Sequence, residues 1–195
     1  MPPTMDSRGQ MTGLLSPFLE WLRLRVARPF IGPRDRVLDI GCGRARLLEE
    51  IQVGDYVGLD ILDKVIAYNR HHHPGLRFEV LNITTEPLPD DLGRFDVVVM
   101  LAVLEHLPEP AAALRALKAR LNDGGRIVLT TPHPIGELVL AVGARLGIFS
   151  AEGEDEHQPL MGERALRAIA RDAGMQVQTY RRFLLGFNQI MVLRS

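Results

Sequence analysis

Residues 37–60 read VLDIGCGRARLLEEIQVGDYVGLD, and this segment constrains the fold more than any other. An apolar run, Val37–Ile40, stops at Gly41-Cys42-Gly43. A helix-like stretch follows, Ala45–Ile51, and then a second apolar run that ends on Asp60. Glycine allows positive φ and close approach of a ligand to the backbone, and a helix start offers free N–H groups. An acid closing the next strand can accept the two hydroxyls of a ribose. The segment therefore predicts a strand, glycine turn, helix and strand that together hold the adenosyl end of a cofactor.

The same alternation continues. Arg36–Ile40, Tyr56–Leu59, Arg77–Leu81, Phe95–Leu101 and Arg126–Thr130 are short runs rich in Val, Ile, Leu and Phe, as in strands buried on both faces. Ala45–Ile51, Asp63–His72 and Ala111–Leu121 separate them with helical patterns. Strand–helix alternation over this length predicts a doubly wound α/β fold with a mostly parallel sheet. Helical spacing predicts an N-terminal helix within residues 12–30, its apolar face packed on the domain and Arg23, Arg25 and Arg28 on its basic side. Near the other end, a helix over Gly162–Ala173 stops at Gly174. Two strand-like runs follow, Gln176–Leu184 and Asn188–Leu193, only three residues apart. That gap is too short for a parallel crossover, so the pair must be antiparallel.

With 195 residues and 46% hydrophobic content, the chain suits one domain, 1–195, with an ample core. Its 23 basic and 24 acidic side chains give a net charge of −1. No general field steers it onto nucleic acid or anionic lipid, so a small-molecule partner is expected. A single cysteine, Cys42, excludes an internal disulfide and suggests a reducing, cytoplasmic setting. No apolar run approaches the roughly 20 residues of a membrane span.

The turn also discriminates between cofactors. Arg46 stands where a dinucleotide fold wants a third glycine, and Asp39 lies where a pyrophosphate would have to approach. The same carboxylate favours a ligand bearing an ammonium and a sulfonium. S-adenosylmethionine therefore suits the site better than NAD. A nicotinamide oxidoreductase and a non-catalytic binding module remain the alternatives.

VLDIGCGRARLL (37–48) resembles the first motif of class I S-adenosylmethionine-dependent methyltransferases. The likeness extends through GLD (58–60), FEVLNITTEPLP (78–89), FDVVVMLAVLEHLPEP (95–110) and LNDGGRIVLTTPHP (121–134). It is closest to the broad small-molecule group that includes the ubiquinone-biosynthesis type. The resemblance implies a Rossmann-like, seven-stranded sheet whose last strand is antiparallel. It implies that Gly41 and Gly43 line the methionine and ribose portion, that Asp39 lies near the amino group, and that Asp60 binds the ribose. Ile61 would pack on the adenine, Asn82 would accept from its amino group, the Ile83 N–H would reach a ring nitrogen, and Leu101 would lie beside the methionine. Ala45 and Asn82 depart from the glycine and aspartate common in the family.

Transfer to oxygen or nitrogen calls for a base poised near neutral pH. The candidates are His106 after the fourth strand, His133 between two prolines after the fifth, and His157 in an acidic stretch. Residues 132–161 are expected to form a lid over the acceptor site, with Ile135, Leu138, Val139, Val142 and Leu146 on one helical face. His71-His72-His73 reads as a solvated helix end, because adjacent helical residues cannot all face one ion, and no metal is expected.

Overall fold

The computed structural model describes residues 15–136 and 161–195; most of the expected lid, with His157, lies outside them. The elements run α1 (Leu15–Ala27), β1 (Arg36–Ile40), α2 (Leu47–Glu50), β2 (Asp55–Asp60), α3 (Asp63–His72), β3 (Arg77–Val80) and β4 (Phe95–Leu101). They continue with α4 (Pro110–Lys118), β5 (Leu121–Pro132), α5 (Glu163–Asp172), β6 (Gln176–Phe183) and β7 (Asn188–Arg194).

Seven strands form one sheet in the order β3-β2-β1-β4-β5-β7-β6. The chain moves outward from β1 to β3 and then returns to place β4 on the other side of β1. The crevice beyond the carboxyl ends of β1 and β4 is thus the topological switch point, where open sheets bind ligands. β1, β2, β3, β4 and β5 pair in parallel, and β7 runs antiparallel to both β5 and β6.

Alternation along each strand splits the core into two layers. Leu38, Val98, Met100, Ile127 and Leu129 pack toward Leu114 and Leu117 of α4 and Leu166 of α5. Val37, Val97, Val99 and Val128 pack toward Leu24 of α1, Leu47 of α2 and Ile66 of α3. Helices therefore cover both faces, with α1 on the side that carries Asp39.

Two details differ from the sequence reading. β5 begins five residues before Arg126, because Asp123-Gly124-Gly125 forms an irregularity inside a strand and not a turn before one. The terminal hairpin closes one edge of the sheet with its strands in reversed order: β7 lies between β5 and β6, and six of its seven residues are buried. The register puts Asn188 and Gln189 opposite Pro132 and Thr131, at the active end of β5.

Candidate active site

The glycine turn hangs from the end of β2. Gly41 and Cys42 both donate their N–H to Leu59 O, at 2.8 and 3.0 Å. Gly41 adopts φ +67° and Gly43 φ +51°. A Cβ on Gly41 would sit 2.6 Å from Val103 Cγ2, so conformation and space both demand glycine there. Ala45 holds φ +52° despite its side chain, a region that costs an L-residue roughly 1–2 kcal/mol. This accounts for the glycine common at the corresponding place in the family.

Asp60 is buried and fastens the turn. Its Oδ2 accepts the Gly43 N–H at 3.0 Å and its Oδ1 accepts the Leu62 N–H at 3.0 Å. Each oxygen keeps a further lone pair. Asn69 of α3, fully buried, donates to Gly43 O at 2.7 Å and leaves its own Oδ1 without a partner among the described residues. Sequence reasoning missed it, because a polar residue at the helical spacing of Ile66 gives no sign of facing the turn.

Asp39 lies inside the pocket, 5% exposed, and accepts a 2.8 Å hydrogen bond from Tyr56 Oη. Burial pushes its carboxyl up to about 7; the Tyr56 bond opposes this, and the charges of Asp60 and Glu20 add to it. A buried carboxyl of this kind is a ready counter-charge for a cation. Burial also pushes the Cys42 thiol up, making it an inert wall residue.

The other wall comes from α1. Glu20, Arg23 and Leu24 line the pocket together with Asp39, Gly41, Gly43, Arg46 and Leu101. Arg23 donates to Asn188 Oδ1 at 3.3 and 3.4 Å, and Arg46 pairs with Glu20 at 3.0 Å. Arg23 thus turns inward to the protein and not outward to lipid. Because α1 leans across, the pocket is about 70 Å³, well below the roughly 300 Å³ at which small-molecule sites begin.

The remaining expected residues divide. Leu101 is half-buried on the pocket wall, Ile61 is 61% exposed just past Asp60, and Ile83 packs against the core. Asn82 Oδ1 accepts both the Thr84 N–H (3.0 Å) and the Thr84 hydroxyl (2.6 Å), which fixes the turn after β3.

His106 is exposed, whereas its neighbour Glu105 is buried. Burial pushes the Glu105 carboxyl up to about 7 against the pull of Arg23, and its Oε2 has no partner among the described residues. His133 is nearly buried, and its Nδ1 accepts the Ile135 N–H at 3.1 Å. Burial and the Arg182 charge lower its pKa while Glu163 opposes them, which favours the neutral ring. An accepting Nδ1 places the neutral ring's proton on Nε2. In that tautomer the Nε2–H is the donor the ring can offer.

His71 and His72 are exposed, with His72 Nδ1 donating to Tyr68 O at 2.8 Å. Among the described residues no group of three or more His, Cys, Asp or Glu side chains is arranged to hold a metal, and no helix is long and apolar enough to cross a membrane.

The fold and this site define a class I S-adenosylmethionine-dependent methyltransferase. Residues 10–180 match the family model described as a methyltransferase domain, and the chain belongs to that family. It is 33% identical over 150 residues to the ubiquinone biosynthesis O-methyltransferase of Pseudomonas paraeruginosa (strain DSM 24068 / PA7), and 31% identical over 151 residues to that of Pseudomonas putida (strain GB-1). Each match covers 73% of this chain and 65% of the relative, so the matched region is less than two thirds of the relatives' length. Among solved structures, an S-adenosylmethionine-dependent methyltransferase from Mesorhizobium loti superposes with a TM-score of 0.69 at 20% identity, covering 91% of this chain and 98% of its own. The putative methyltransferase in complex with the Trm112 activator from Haloferax volcanii gives 0.72 at 16% identity, covering 91% and 90%. These two share the fold.

Proposed function

We propose that this chain transfers the methyl group of S-adenosylmethionine to a hydroxyl oxygen of a small-molecule acceptor. The observation that carries the reading is the pair of buried carboxylates, Asp39 and Asp60, joined through the glycine turn at the switch point of the sheet. Two features suit the cofactor in particular. Asp39 offers a desolvated counter-charge to an ammonium, and Asp60 keeps a lone pair on each oxygen for a ribose hydroxyl. The relatives' name, ubiquinone biosynthesis O-methyltransferase, favours oxygen as the accepting atom.

When bound, S-adenosylmethionine supplies a methyl group already activated on a sulfonium. The chain's own residues then bind, align and exclude water, the main contributions such a displacement needs. Asp60 holds the ribose, Asp39 faces the amino group, and Arg23 stands ready for the carboxylate. Ile61 lies against the adenine with the Ile83 N–H at its edge, and Leu101 packs beside the methionine chain. His133, through Nε2–H, orients the acceptor oxygen. Glu105, with a free oxygen and a pKa near neutrality, takes the acceptor's proton. We place this activity in the cytoplasm, where Cys42 stays reduced. Residues 132–161, His157 among them, are our candidate acceptor lid.

The test is formation of S-adenosylhomocysteine against a panel of phenols, catechols and hydroquinones. Turnover of at least one panel member, lost in Asp39→Asn, is expected. Tight cofactor binding without turnover of any member would favour a non-catalytic binding module instead.

A further inference from the structure

A second concavity lies at the same end of the sheet, away from the glycine turn. It is an open groove of about 670 Å³. Its walls carry four arginines: Arg164, Arg167 and Arg171 from one face of α5, and Arg182 from the end of β6. Spacings of three and four residues align the first three along the helix. Among the described residues Glu163 is the acidic one in the wall and pairs with Arg167 at 2.8 Å; Arg171 reaches Asp172 at 3.8 Å. Arg164 and Arg182 have no acidic partner among the described residues. Such a surplus of guanidinium in a chain of net charge −1 is a local feature, suited to an oxyanion.

The elements that wall the groove are tied to the strand end that carries His133. Gln189, fully buried, shares the two hydrogens of Nε2 among Thr131 Oγ1, Pro132 O and Met161 O, and receives the Tyr180 hydroxyl on Oε1. This one side chain ties the end of β5 to the start of α5 and to β6. His133 follows directly, its N–H held by Phe187 O at 2.8 Å. The groove wall at Gly162 lies against Pro134, where an added Cβ would be 3.9 Å from Pro134 Cγ. Arg182 and Glu163 are also the charges His133 feels most.

We propose that the arginine groove is an anion subsite, which receives a phosphate or carboxylate group of the methyl acceptor while the acceptor's hydroxyl sits beside His133. The inference rests on the methyl-transfer reading for the identity of the ligand, and on the groove alone for its charge. Three strand spacings separate Leu101 on β4 from Arg182 on β6. At about 4.8 Å each they set the anionic group roughly 15 Å from the transferred methyl, less the reach of the arginine side chains. The acceptor is therefore an elongated anionic molecule and not a compact neutral ring.

The experiment uses the full chain with inorganic pyrophosphate as probe. Calorimetry should show saturable one-to-one binding, weakened at least about tenfold in the double variant R164Q/R182Q. Nuclear magnetic resonance titration of His133 should show its pKa rising by about half a unit or more with saturating pyrophosphate, as a nearby anion requires, and no rise in the double variant. S-adenosylmethionine affinity, measured separately, should be unchanged in R164Q/R182Q, which shows the variant folded. Pyrophosphate binding in a chain that fails to bind S-adenosylmethionine would support the subsite while sinking the cofactor reading. Unsaturable binding, binding indifferent to the double substitution, or a His133 that does not respond would overturn the proposal. Sedimentation with phosphatidylglycerol vesicles that pyrophosphate cannot reverse would assign the arginines to a membrane and overturn it too. So would a tenfold gain in pyrophosphate affinity on neutralising Glu152, Glu154, Asp155 and Glu156, since the occupant would then be the chain itself.

Discussion

Replacing Tyr56 by Phe removes one hydroxyl and with it the 2.8 Å hydrogen bond to Asp39 Oδ2. That bond opposes the burial that pushes the Asp39 carboxyl up to about 7. A hydrogen bond to a charged group contributes about 1.5–3 kcal/mol, which converts to roughly 1–2 pKa units. In the variant the free-state pKa of Asp39 should therefore rise to about 8–9. Only the ionised carboxylate attracts the cofactor's ammonium, so affinity scales with the ionised fraction. The ratio of variant to wild-type Kd for S-adenosylmethionine should then be about 10–100 at pH 6 and fall to about 1–4 at pH 8.5. Titration of the cofactor's own amino group cancels in this ratio. Calorimetry across that pH range is the assay. A ratio that stays constant with pH would mean that Tyr56 acts by packing alone, and would refute the electrostatic role given to Asp39.

Further expectations follow from the same geometry. Gly41→Ala meets both a positive φ and Val103 at 2.6 Å; it should destabilise the fold by about 1–3 kcal/mol in urea titration and abolish cofactor binding. Glu105→Gln should flatten the inflection near pH 7 in the pH–rate profile. Because burial raises the folded-state pKa of Glu105 to about 7 from 4.5, wild type loses stability as pH rises between those values. The variant should be more stable at pH 8, by at most about 3 kcal/mol, with no such gain below pH 4.5. His133→Gln, which keeps a donor, should retain far more turnover than His133→Ala; equal loss in both would contradict the donor role. Gln189→Ala strands several buried polar groups and should cost about 2–4 kcal/mol in thermal or urea unfolding.

The succession of strands along the chain and the glycine turn were legible in the sequence because each is a local signal. Five apolar runs sit between helical patterns, and the Gly41-Cys42-Gly43 turn lies at the end of one of them. The position of β7 was not legible, since residues 176–193 encode a hairpin but not which of its strands meets β5. The α1 wall was hidden for a related reason: an amphipathic helix reports which face it buries, not that Arg23 and Glu20 will reach across a crevice made by residues 39–46. Glu105 and His106 show a third limit. Their adjacency gives no hint of which one faces inward; the short turn Leu104–His106 buries the carboxylate and exposes the imidazole. His133 was correctly placed at a strand end, but its tautomer depends on the Ile135 N–H, a contact made only in the folded loop.

In the proposed function the glycine turn with Asp39 and Asp60 holds S-adenosylmethionine. Calorimetric titration of the wild-type chain and of Asp60→Ala tests it most directly. Loss of Asp60 removes the ribose acceptor and also frees the Gly43 and Leu62 N–H groups it anchors. Saturable one-to-one binding in the wild type, weakened at least about a hundredfold in the variant, is the predicted result. A flat wild-type titration, or equal affinity in the two proteins, would contradict it.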